Sequence, residues 1–124
     1  MKKILLGLGL ALAGFVLVPA CSSEDTTPAD DTQVVNVQVG GANGNTFTPK
    51  DITVKVGQTV RWTWAGGAHN VVSGATCGQG DGIFRSGAAQ AGGTFEWKAD
   101  KAQVVKYYCE PHCTAGMTGT ITVQ

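Results

Sequence analysis

From Gln33 to the C-terminus, apolar side chains recur at every second position, in short runs that glycine repeatedly interrupts. Val35, Val37 and Val39 share one face of the first run. Ile52, Val54 and Val56 share a face of the next, with Thr53 and Lys55 opposite. Val60, Trp62 and Trp64 alternate with Thr59, Arg61 and Thr63, and Phe95 and Trp97 with Thr94, Glu96 and Lys98. Val105, Tyr107 and Cys109 alternate with Val104, Lys106 and Tyr108, and Ile121 and Val123 with Thr120 and Thr122. A period of two places side chains on one face of a β-strand, and strands with one apolar face need a second sheet to cover them. The breaks (GGANGN, VGQ, AGGA, SGATCGQGDG, SGAAQAGG) use many of the chain's 18 glycines and mark turns. About six to eight strands in roughly 90 residues predict an all-β fold, a small sandwich or barrel. No long stretch repeats at helical period, so a helical bundle and a coiled coil are excluded. Parity along the penultimate strand predicts that the Cys109 sulfur faces inward and that Tyr108 faces the surface.

The first 32 residues lack this pattern. Lys2 and Lys3 precede an uncharged, mostly apolar run from Ile4 to Val18, which is shorter than the ~20 residues of a spanning helix. A charged start, a short apolar run and small residues before a boundary make residues 1–20 a secretory signal. Val18-Pro19-Ala20-Cys21 resembles a bacterial lipoprotein cleavage box, and the resemblance implies a lipid on Cys21. Ordinary cleavage near Ala20 and an uncleaved anchor are the alternatives, and in each the domain is exported. Residues 21–32 carry Glu24, Asp25, Asp30 and Asp31 without hydrophobic periodicity, which predicts a flexible acidic linker between the membrane and residues 33–124. Lys+Arg and Asp+Glu are both 9 in the full chain. Loss of Lys2 and Lys3 leaves the mature chain about two units negative, which argues against a cationic surface for nucleic acid.

Histidine and methionine are scarce. His69 and His112 are the chain's two histidines, and Met117 is its one methionine besides Met1. Cys109, His112 and Met117 lie within the segment YYCEPHCTAGMTGTITV, on the turn joining the last two strands, and His69 stands upstream in AHNVV. Two imidazoles and a thiolate in a trigonal plane, with a distant axial thioether, form the blue-copper ligand set. Thiolate and thioether suit copper(I), imidazole suits both oxidation states, and a trigonal plane matches the extreme preference of neither ion. Little then moves when an electron arrives. With four protein ligands no position is left open for a substrate, unlike a catalytic metal site.

The segment resembles the cupredoxins, most closely their plastocyanin-like branch, whose Cys-x-Pro-His-x-x-x-x-Met signature is matched by Cys109, Pro111, His112 and Met117. His69-Asn70 matches the family's upstream His-Asn pair, FTPKDITVKVGQTVRWTW its second and third strands, and GTITV its last. The resemblance covers residues 33–124 and implies a Greek-key β-sandwich with one copper near one end, cycling between Cu(I) and Cu(II). It implies that Asn70 braces the two ligand loops, its backbone amide donating to the Cys109 sulfur. It implies that Pro111, lacking an N–H, withholds a second such bond and so raises the potential. His112 would be the partly exposed ligand, ringed by small residues such as Ala115 and Gly116. Tyr108 marks a second route for the electron.

Cys77 and Cys113 are left over, and in an exported protein two spare cysteines suggest a disulfide. Closing that stretch of about 36 residues would contribute roughly 3–4 kcal/mol. A rival arrangement uses Cys113 as a ligand, because Cys109-x3-Cys113 is similar to the dinuclear copper centre of cytochrome oxidase; Met117 stands where that centre needs its second histidine. The expected function is electron carriage, by a monomer, between a donor and an acceptor redox protein outside the cytoplasmic membrane. Copper delivery or storage is the alternative, although the chain has no Met- or His-rich tract. A sandwich using the four residues structurally, without metal, is a third. An enzyme is not expected: both histidines are assigned, and no phosphate-cradling glycine motif precedes a helix.

Overall fold

Each alternating run becomes a strand. The computed structural model describes residues 33–124; the leader of residues 1–20, Cys21 and the remainder of the linker lie outside the described residues. The strands are β1 (Val34–Gly40), β2 (Phe47–Thr48), β3 (Asp51–Val54), β4 (Thr59–Gly66), β5 (Val72–Ser73), β6 (Thr94–Lys98), β7 (Gln103–Tyr108) and β8 (Thr118–Val123). They form two four-stranded sheets, ordered β2-β1-β4-β6 and β3-β8-β7-β5. β1 runs parallel to β4 and β3 parallel to β8, while the other pairs are antiparallel. The chain crosses between sheets from β2 to β3 and returns at β4, and such crossings make the all-β Greek-key sandwich. No helix among the described residues is long and apolar enough to cross a membrane.

The alternation explains the core. Val37, Val39, Val60 and Trp62 of the first sheet face Ile52, Val54, Val105, Tyr107, Ile121 and Val123 of the second, all buried. Trp62 sits among aromatic rings, with centroids 5.1 Å from Phe84, 5.5 Å from Tyr107 and 5.6 Å from Phe95. Truncating such a side chain to alanine costs about 3–5 kcal/mol. Phe84 comes from the long connection between β5 and β6, which is packed onto the sandwich. Its backbone N–H donates to the Ser73 hydroxyl at 2.9 Å, and bridges pair Val72 with Arg85 and His69 with Gln90. The connection therefore passes beside the residues that follow β4.

Two expectations are corrected. Val56 is half exposed because β3 ends at Val54 and the chain turns at Gly57. Tyr108 does leave the main core, but it is only 2 % exposed. It packs with Val72 and Cys113 in a second, smaller cluster on the outer face of its sheet. The loop that begins at Gly74 folds over that face, tied down by the disulfide between Cys77 and Cys113. Parity gives a side chain's direction, whereas a loop anchored 36 residues away decides what covers it.

Candidate metal centre

His69 follows β4 at one end of the sandwich. Its backbone N–H donates to Gln90 O at 3.0 Å, its carbonyl accepts from Gln90 N at 2.9 Å, and that same carbonyl takes the Trp64 indole N–H at 2.8 Å. The ring is held from behind by backbone. A Cβ added at Gly40 or Gly67, both of positive φ, would overlap the Nε2 edge of the imidazole. Glycine is needed there for conformation and for space.

Cys109 directly follows β7, in extended conformation, and the chain then enters a 3-10 turn over Glu110–Ala115 with Pro111 in its first positions. The fixed φ of proline suits that entry. Cys109 N–H donates to Met117 O at 3.0 Å and Met117 N–H to His112 O at 3.1 Å, so the loop from Cys109 to Met117 is closed at its base. Met117 is fully buried.

These constraints bring the three donor atoms together. His69 Nδ1 and His112 Nδ1 are 3.1 Å apart, and the Cys109 Sγ lies 3.7 Å from the first and 3.6 Å from the second. A point in the plane of that triangle is about 2.0 Å from all three atoms, the length of a metal–imidazole bond and a little under that of a metal–thiolate bond. The donor set fits a copper ion. His69 and Cys109 are buried, and His112 is the member of the triangle that reaches solvent.

The electrostatics fit as well. Burial, aided by the neighbouring His112, pushes the His69 imidazole below its ordinary pKa, so the ring is neutral and able to ligate. Burial also pushes the Cys109 thiol up, and the Glu110 carboxylate adds to this; the backbone N–H groups of Asn70 and His112 act in the opposite sense. The Asn70 amide thus acts on the thiol in the direction that the resemblance implied. The His112 backbone N–H, which donates to Cys109 O at 3.2 Å, acts on the thiol in the same sense as that of Asn70, and Pro111 supplies no N–H.

Asn70, only 1 % exposed, links the two ligand segments through its side chain. Its Oδ1 accepts the Glu110 backbone N–H at 2.9 Å, and its Nδ2 donates to Glu110 Oε2 at 2.6 Å and to Gly87 O at 3.0 Å. Arg85 donates to the same Glu110 oxygen at 2.7 Å. Glu110 and Arg85 were not singled out from the sequence. An acid wedged between Cys109 and His112 was the available signal, since a carboxylate beside a thiolate calls for a cation; which of the chain's cations answers is decided by the path of the β5–β6 connection. Cys113 is bonded to Cys77, and Cys109 is the free cysteine among the described residues. The dinuclear arrangement, which needs a free Cys113, does not form.

Residues 33–124 match the family of copper binding proteins described as the plastocyanin/azurin family. The chain is 41% identical over 102 residues to a halocyanin of Natronomonas pharaonis, a match covering 80% of this chain and 61% of that protein. It is 39% identical over 100 residues to a plastocyanin of Scenedesmus fuscus, covering 73% of this chain and 99% of the relative. Among solved structures, the oxidised plastocyanin of Dryopteris crassirhizoma superposes with a TM-score of 0.59 at 28% identity, over 73% of this chain and 100% of that one. A purple cupredoxin of Nitrosopumilus maritimus gives 0.62 at 27% identity, over 73% and 99%. Fold, donor triangle and relatives agree: the chain belongs to the plastocyanin/azurin family of copper-binding proteins.

Proposed function

We propose that the domain is a mononuclear type 1 copper electron carrier in which His69, Cys109, His112 and Met117 hold the metal. The observation that carries this reading is the triangle of His69 Nδ1, Cys109 Sγ and His112 Nδ1, whose sides of 3.1–3.7 Å surround a point at bonding distance from each. When bound, copper supplies a one-electron couple. The protein supplies rigidity: His69 is clamped between Gln90, Trp64 and two glycines, and the Cys109–Met117 loop is closed by its own backbone bonds. Donors fixed in this way need little rearrangement when charge changes. His112 is partly exposed, and the exposed Ala115 and Gly116 that follow it on the same loop are small enough to let a partner approach closely. With every position filled by protein, the domain is a carrier and not an enzyme.

The leader of residues 1–20 supports export, and the cleavage box supports a lipid on Cys21 with residues 22–32 as tether. The partners in this reading are a donor and an acceptor redox protein at that membrane, met by a monomer. Visible absorption and electron paramagnetic resonance of the copper(II)-loaded protein test it. An intense blue or purple thiolate-to-copper band with the hyperfine signature of one copper is the expected result. A pale, ordinary copper(II) spectrum would refute it.

A further inference from the structure

Glu110 occupies the position between Cys109 and the Pro111-His112 pair, and it is held more tightly than an ordinary surface acid. Its Oε2 accepts from Asn70 Nδ2 at 2.6 Å and from Arg85 at 2.7 Å, and its backbone N–H is bound by Asn70 Oδ1 at 2.9 Å. Asn70 is itself buried and tied to Gly87 O at 3.0 Å. Three separate segments, those of His69-Asn70, Arg85–Gly87 and Cys109–His112, thus meet at one carboxylate. Two of them carry the candidate ligands.

A negative charge one residue from the ligating sulfur stabilises the more positive, oxidised state of a metal centre. Left alone, Glu110 would therefore pull the reduction potential down. The guanidinium of Arg85, on the same oxygen, supplies the opposite charge. The two side chains are partly exposed, at 54% for Arg85 and 35% for Glu110, so the pair contributes little to folding stability. Its field at the metal is a different quantity and persists while the loop remains folded.

We propose that Glu110 and Arg85 are positioning residues for electron transfer: Glu110, latched by Asn70, fixes the loop between Cys109 and His112, and Arg85 offsets the charge that this latch places beside the sulfur. This rests on the proposed copper carrier. The pair permits an acidic anchor next to the centre without an acidic field at it.

The test uses the full-length protein with the variants Arg85→Gln, Glu110→Gln and their combination. Three quantities are measured: the reduction potential, the visible spectrum of the copper-loaded protein and the thermal midpoint of the copper-free protein. Arg85→Gln is expected to lower the potential and Glu110→Gln to raise it, with the double variant returning close to the parent and all three retaining their colour. Arg85→Lys keeps the charge and is expected to leave the potential near that of the parent, so it remains informative if another variant fails to fold. Shifts of the same sign in both single variants, following losses of copper-free stability, would overturn the proposal in favour of a purely structural pair. Unchanged potentials would overturn it equally. A parent protein without the thiolate-to-copper band would instead refute the carrier itself, so the two failures are separable.

Discussion

The Nδ1 atoms of His69 and His112 stand 3.1 Å apart, although 43 residues separate them in the chain. At this distance the two ring nitrogens are within hydrogen-bond reach of one another, the donor being set by the tautomers. Nothing in the folding of a β-sandwich requires that meeting. The backbone bonds of His69 to Gln90, the glycines behind its ring and the closed Cys109–Met117 loop all hold it in place.

Substituting the triangle's sulfur separates a ligand from a bystander. Cys109→Ser is expected to abolish the thiolate-to-copper colour while the domain stays folded. Met117→Gln is expected to retain the colour and lower the potential, because an amide oxygen favours copper(II) more than a thioether does. Visible spectra and redox titration of the two variants check both outcomes.

Gly67 supports His69 by being small. Gly67→Ala adds a Cβ against the His69 ring at a φ of 81°, whereas Gly44→Ala adds one at a φ of 72° into open space. Backbone strain alone costs about 1–2 kcal/mol in either variant. Copper affinity is expected to fall at least tenfold in Gly67→Ala and to stay unchanged in Gly44→Ala, as measured by competition with a chelator. Equal affinities would show that the ring is not held by this contact.

The disulfide is expected to serve stability rather than ligation. Replacing Cys77 and Cys113 together by serine should lower the unfolding free energy by about 3–4 kcal/mol, by the loop-entropy argument, and leave the colour in place. Denaturant titration and the visible spectrum measure the two effects. Loss of colour on Cys113→Ser alone would make Cys113 a ligand.

Burial holds the Tyr107 hydroxyl well above the ordinary tyrosine range, and its nearest acceptor, Lys50 O, is 3.5 Å away. A group whose folded pKa is raised keeps its full contribution below the unfolded value and loses it as pH climbs beyond. Stability should therefore decline from about pH 10 upward. Tyr107→Phe is expected to flatten that alkaline decline at small cost near neutrality, since the hydrogen bond removed is long. Thermal midpoints across pH 7 to about 11.5 test the sign.

The parts of the structure visible in the sequence were those set by local pattern. Alternating residues such as Val60, Trp62 and Trp64 located their strand and its buried face, and the scarcity of histidine and methionine drew attention to His69, His112 and Met117. What stayed hidden depended on where loops travel. Tyr108 points as its parity requires, yet the loop beginning at Gly74 buries it. Arg85 lies in the glycine-rich stretch before β6, and no local pattern connects it to Glu110, 25 residues later. Val56 continued the alternation of β3 on paper, but the strand ends at Val54 and the chain turns at Gly57. That leaves the Val56 side chain half exposed, even though its backbone N–H still donates to Gln124 O at 3.1 Å.

Covering Tyr108 has a kinetic consequence. Tyr108 lies under the disulfide-pinned loop, whereas His112 is the member of the triangle that reaches solvent. A donor and an acceptor that both dock on the His112 edge must use one doorway in turn. Steady-state turnover would then follow a ping-pong pattern, with each partner acting as a competitive inhibitor of the other. The protein would have to leave one before meeting the next, as a ferry does and a bridge does not.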